Sequence, residues 1–151
     1  MKSSRDYSEA DRLNLKLVIA LLRGSKALEA ALTPMFAAKG VTFTQFGVLE
    51  FLYHKGPARI SLIIEKTLSS GGCMTVVIRN LEKLGLVRRG QDSGDARASV
   101  IELTRAGQTL MEELFPAHLK VLGEFMGGLG DKGKKNVIDE LRGLPGRQPS
   151  F

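Results

Sequence analysis

Gly72-Cys73-Met74-Thr75-Val76-Val77-Ile78-Arg79-Asn80-Leu81-Glu82-Lys83 is the stretch on which the fold turns. Met74, Val77, Ile78 and Leu81 recur at helical spacing, and Gly85 stands where a helix naturally stops. With those four residues inward, about 100° per residue turns Gly72, Val76, Arg79 and Lys83 to the opposite side, flanked by Thr75 and Asn80. Surface helices with ordinary charges are frequent, but a solvated face rarely offers an outward valine. The mixture suits a DNA groove. Arginine bonds guanine bidentately, asparagine reads adenine, threonine and lysine hold phosphate, and valine touches a thymine methyl.

Upstream of this helix, Ser69, Ser70, Gly71 and Gly72 interrupt a short helix predicted from about Arg59 to Lys66, with Ile60, Ile63 and Ile64 inward. Downstream, Leu86-Val87-Arg88-Arg89 has strand character, Gly90 to Gly94 is turn-like, and Ser99, Ile101 and Leu103 alternate with Val100 and Glu102. Helix, tight polar turn, helix and hairpin is the element order of a winged helix-turn-helix. The expected wing residues are Arg88, Arg89, Asp95 and Arg97, with Arg97 placed to enter a minor groove and Asp92 and Asp95 placed to hold it. Charge follows the same pattern. Between Tyr53 and Arg105 nine basic residues face five acidic ones, so this segment holds +4 of the chain's net +6.

Further out, Thr42 and Gln45 form a capping box, with Phe46, Leu49, Leu52 and Tyr53 as the face behind it and Gly56-Pro57 as the stop. The first long segment carries Leu13, Leu17, Ala20, Leu21, Gly24, Leu28, Ala31, Leu32 and Met35 as an amphipathic stripe that lacks a partner. Pro34 predicts a kink or break, and Gly40 predicts the end. Thr104 is placed to cap a fifth helix through Leu110, Leu114, Val121 and Phe125, bent at Pro116. Asp131 is placed to cap a sixth through Val137, Leu141 and Leu144. The organisation is one mostly α (α+β) domain over 1–151, with a winged-helix lobe at 42–104, terminal helices at 6–38 and 105–144, and a flexible tail at 145–151.

Composition agrees with a single globular domain: 151 residues, 43% hydrophobic and 25% charged. No run approaches the roughly 20 apolar residues of a membrane span, and Met1 to Asp11 is not signal-like, so a cytoplasmic protein is expected. One cysteine excludes an internal disulfide, and His54 and His118 offer no ligand spacing, so neither metal nor cofactor is expected. Phosphate loops, nucleophile elbows and Cys/His pairings are missing from the sequence, which argues against an enzyme.

The run from Leu68 through Gly107 resembles the MarR (multiple-antibiotic-resistance) regulators. Met74-Thr75, Leu81-Glu82-Lys83, Gly85-Leu86-Val87, Arg89, Asp95, Arg97 and Leu103-Thr104 are all in pattern, as is Thr42 to Phe46 with Val48-Leu49. The resemblance implies a winged-helix homodimer whose terminal helices interlock, each chain presenting one reading helix to half of a pseudo-palindromic operator. The chain departs from the family at Arg79, where an acid is usual, at Ala96-Arg97, where two arginines are usual, and at Gly71-Gly72. Arg79 can pair with Asp95 or read a base; base reading is favoured.

Two further family properties bear on this sequence. The resemblance implies a crevice for small anionic aromatic effectors, to which Leu17, Phe46 and Met111 would contribute, with Arg23 or His54 as polar contacts; the competing reading of these apolar residues is ordinary core. His54, near a helix end, also reads as a surface cap. Cys73, near the amino end of the reading helix, is either a redox-sensitive thiol favoured by the helix terminus or a small apolar residue. Taken together, the sequence predicts a DNA-binding transcriptional regulator, a repressor released by a small aromatic ligand or an oxidant. A winged-helix protein-interaction module is the alternative.

Overall fold

The computed structural model describes residues 7–67, 71–91, 94 and 99–145, and the side chains of 71–73 fall outside that description. In chain order the described elements are α1 (Glu9–Ala38), α2 (Phe43–Lys55), α3 (Ile60–Lys66), α4 (Gly71–Lys83), β1 (Val87–Gln91), β2 (Ser99–Leu103), α5 (Arg105–Phe125) and α6 (Asp131–Arg142). This is the mostly helical winged-helix architecture with a small antiparallel sheet that the sequence predicts.

Local chemistry fixes the boundaries. The Thr42 hydroxyl accepts from the Gln45 backbone N–H at 3.2 Å while the Gln45 side chain accepts from the Thr42 N–H at 2.8 Å. A second capping box, unread in the sequence, joins Ser8 and Asp11 at the start of α1. Gly40, Gly56 and Gly85 end α1, α2 and α4 with φ of 72°, 79° and 70°, a region a side chain enters only with strain. Asp131 does not cap α6: it is the first helical residue, and Gly130 stands at the cap with no side-chain bond.

Pro34 does not break α1, which runs through it to Ala38. The proline leaves the carbonyl of Ala30 without its helical donor, but both residues lie on the exposed side, where water can serve that carbonyl, while Leu32 and Phe36 hold the inner side. α5 likewise continues through Pro116, which is also exposed.

One core unites the lobe. Leu32 and Phe36 of α1, Phe46, Val48, Leu49 and Leu52 of α2, Ile63 of α3, Met74, Val77, Ile78 and Leu81 of α4, and Met111 and Leu114 of α5 are buried together. β1 and β2 pair antiparallel from Val87–Leu103 to Gln91–Ser99. The predicted alternation in β2 fails at Val100, which is buried along with Ile101. Beside it, Ala58 adds a third pairing to the sheet through two backbone bonds with Ile101, of 3.0 and 2.8 Å, and Val100 lines a shallow cavity with Pro57, Ala58 and Leu62.

Thr104 ties the wing to α5. Its hydroxyl donates to the Gly85 carbonyl at 2.6 Å and accepts from the Gly107 N–H at 3.1 Å, and its own N–H donates to the Leu86 carbonyl at 3.0 Å. Gly107 packs so closely here that an added Cβ would run into the Leu86 carbonyl oxygen. Gly107→Ala is therefore expected to cost about 1–3 kcal/mol through forced backbone movement, visible as a lower denaturant midpoint in urea.

Outside the lobe the chain has little to pack against. Residues 9–27 of α1 are all exposed, and α6 buries none of its residues. Large apolar side chains emerge on both sides of α1, with Leu13, Leu17 and Leu21 on one and Leu15, Val18 and Leu22 on the other. No described helix is long and apolar enough to cross a membrane.

Candidate nucleic-acid interface

α4 presents two faces with different chemistry. Met74, Ile78 and Leu81 are fully buried and Val77 nearly so, which anchors the helix on α2, α3 and β1. Thr75, Val76, Arg79, Asn80 and Lys83 are exposed, with Val76 at 43%. Among the described residues, neither Arg79 nor Lys83 has an ion-pair partner. The helix thus offers a ridge of unspent hydrogen-bonding groups around one exposed valine. Gly72 lies in its first turn.

The base of the wing is organised differently. The Arg89 Nε donates to Glu82 Oε1 at 3.0 Å, joining β1 to α4, and the Arg88 Nε lies 2.8 Å from Glu102 Oε1 on the neighbouring strand. Exposed pairs of this kind are worth about 0–1 kcal/mol each, so their effect is mainly to orient. Each guanidinium has its Nε committed to a carboxylate. Glu82 was not among the residues the sequence singled out as a site, yet it fixes the angle between reading helix and wing. Asp92, Asp95 and Arg97 lie outside the described residues, as does the side chain of Cys73, whose backbone sits in the first turn of α4.

The three residues expected to line an effector crevice do not come together within one chain. Phe46 and Met111 are both in the buried core, with Phe46 stacked on Phe36 at 4.4 Å between ring centroids. Leu17 is half exposed and precedes Phe36 by five helical turns, roughly 28 Å along α1. Arg23 is exposed, and His54 packs edge-on against Phe115 at 4.7 Å rather than capping α2.

Sequence reasoning also missed a buried polar approach between α5 and α2. His118 of α5, set aside for want of ligand spacing, is buried with its Nε2 3.9 Å from Glu50 Oε1 of α2. Nothing local signals it, because the two residues are far apart in the chain.

Comparison with known proteins places this architecture. A family model described as MarR family matches residues 39–98. The HTH-type transcriptional regulator MhqR of Bacillus subtilis is 30% identical over 137 residues, covering 89% of this chain and 94% of that protein. Among solved structures, Bordetella bronchiseptica BpsR, described with regulation of its DNA binding by 6-hydroxynicotinic acid, superposes with a TM-score of 0.75 at 24% identity, covering 84% of this chain and 96% of that one. A mutant E. coli MarR complexed with operator DNA superposes with a TM-score of 0.79 at 18% identity, covering 91% of this chain and all of that one. With a relative of that identity along nearly its whole length, and a family model over the winged-helix lobe, the chain belongs to the MarR family of transcriptional regulators.

Proposed function

We propose that this protein is a cytoplasmic, dimeric, sequence-specific DNA-binding repressor that docks α4 of each chain in the major groove of a pseudo-palindromic operator. The observation that carries this reading is the exposed, unpaired ridge of Thr75, Val76, Arg79, Asn80 and Lys83 on a helix whose other face is locked in the core. Arg79 reads a base, Lys83 and Thr75 hold phosphate, and Arg88, Arg89 and the wing residue Arg97 grip the backbone and minor groove, with Asp95 beside Arg97. The E. coli relative, solved in complex with operator DNA, supports DNA as the partner of this fold.

A duplex containing the chain's own promoter should bind better than a scrambled duplex at moderate salt. Arg79→Ala should lower affinity for that duplex by about one to two orders of magnitude and relax preference at one base position. Lys83→Ala should weaken all duplexes alike and lower the salt slope by about one. Equal binding of promoter and scrambled DNA would overturn the assignment.

Release by a small aromatic ligand fits the place where α1, α2 and α5 meet. Phe46 and Met111 lie there, and Leu17 would have to come from the second copy. A compound lodged in that region shifts the dimer only by binding one arrangement better than the other. Regulation of BpsR by 6-hydroxynicotinic acid supports an aromatic acid as the class to test first. Oxidation of Cys73, at the amino end of α4, is the second route of release and is tested by mild peroxide on the same duplex.

A further inference from the structure

The aromatic cluster at the junction of α1, α2 and α5 contains one group that hydrogen bonding leaves incomplete. The His118 ring lies 4.7 Å from Phe46, 6.0 Å from Phe36 and 6.2 Å from Phe115 between centroids. Its Nδ1 is buried without a hydrogen-bond partner. Its Nε2 faces Glu50 Oε1 at 3.9 Å, too long for a hydrogen bond. The neutral ring is best accommodated with its hydrogen on Nε2, toward the carboxylate, and the Nδ1 lone pair idle. A second proton would add an N–H donor at Nδ1, where the described residues supply no acceptor.

We infer that the His118–Glu50 contact is a proton-operated joint. Uptake of a proton by His118 loosens α5 from α2 and thereby lowers DNA affinity. The second half of this inference rests on the DNA-binding reading given above. α5 leaves the lobe at Thr104 and leads to α6; on the dimeric reading given above, its seating on α2 would set how far apart two copies hold their reading helices.

The other charged groups on the packed elements do not serve His118. On α2, His54 acts on Glu50 electrostatically. On α1, Lys39 is bonded to Glu113 of α5 at 2.8 Å, which holds the Glu113 carboxyl below its usual range. Burial pushes the His118 imidazole below its ordinary value of 6.5 and the Glu50 carboxyl above its ordinary value of 4.5, with His54 opposing the latter.

The signs then follow. A histidine with a depressed pKa binds fewer protons in the fold than in the unfolded chain, so its stabilising effect is present above pH 6.5 and is lost as pH falls through the depressed value. Glu50 works the other way. Its raised pKa favours the fold at low pH, and that contribution is lost as pH rises through the raised value. As pH falls, the two contributions change in opposite directions.

The test uses the full chain with His118→Gln, His118→Phe, Glu50→Gln and His54→Gln variants, each measured at pH 7.5 and 5.5 for melting temperature and for affinity to the promoter duplex. The wild type and His54→Gln should lose melting temperature at pH 5.5 and should lose several-fold more DNA affinity than either His118 variant. Glu50→Gln should show the steepest acid loss, because the charged ring then has no carboxylate nearby. Identical pH responses in the wild type and both His118 variants would overturn the joint. If no variant binds the promoter selectively at pH 7.5, the DNA-binding reading fails and the claimed consequence for affinity goes with it. The melting temperatures still decide whether the joint exists.

Discussion

Phe36→Ala is expected to lower stability by about 3–5 kcal/mol and to separate α1 from the lobe before the lobe itself unfolds. Phe36 is 1% exposed and closes the core at the point where three helices meet. Its ring stacks on Phe46 at 4.4 Å, meets Phe43 edge-on at 5.9 Å and lies 6.0 Å from His118. Aromatic pairs of these geometries add about 0.5–1.5 kcal/mol each beyond the area they bury, so truncation removes packing on several sides together. The neighbouring α1–α5 ion pair, Lys39 with Glu113, is exposed and offers little compensation. Urea unfolding followed by circular dichroism checks this: the midpoint should fall steeply. Amide exchange should show α1 losing protection more than α4. A loss below about 1 kcal/mol would mean that the α1 junction is held by contacts other than the aromatic cluster.

Much of the winged-helix lobe was legible in the sequence, and the parts that were not, Phe36 and His118 among them, have physical reasons. Met74, Val77, Ile78 and Leu81 could be placed inward because a two-sided helix repeats its burial pattern every turn. Thr42 with Gln45, and Thr104, could be placed because a cap needs only residues a few positions apart. Val100 could not be read, because the pairing of Ala58 on Ile101 brings a distant segment beside the sheet, which strand periodicity does not contain. The pairing of Arg89 with Glu82 and the approach of His118 to Glu50 depend on helix placement, which no local pattern contains. Pro34 misled for a related reason. Propensity penalises proline in a helix, but its cost depends on which side of the helix the freed carbonyl faces, and tertiary packing decides that.

A Leu17→Glu, Leu22→Glu double variant should be monomeric and should lose about 10²- to 10⁴-fold in affinity for a duplex with two half-sites, while binding a single half-site as the wild-type lobe does. Residues 13 to 22 of α1 expose Leu13, Leu15, Leu17, Val18, Ile19, Leu21 and Leu22, at between 37% and 67%. Helical faces this broadly apolar, interrupted between residues 13 and 22 by Asn14 and Lys16, belong in an interior, and contiguous apolar patches of more than a few hundred Å² are uncommon on monomers. The exposed Val137, Ile138 and Leu144 at the other end of the chain are of the same kind and could supply part of that interior from a second copy. Glutamates on opposite sides of α1 would each have to be buried unpaired on association, which forbids it whichever side meets the partner first. The lobe should survive, because none of its buried residues lies before Leu32. Light scattering then separates the outcomes, the wild type giving twice the 16.4 kDa chain mass and the variant once. Should the wild type prove monomeric while binding both half-sites with full affinity, the apolar faces of α1 serve some other partner. Should the variant remain a dimer, α6 and the end of α5 suffice for association, and residues 13 to 22 of the chain are not its seam.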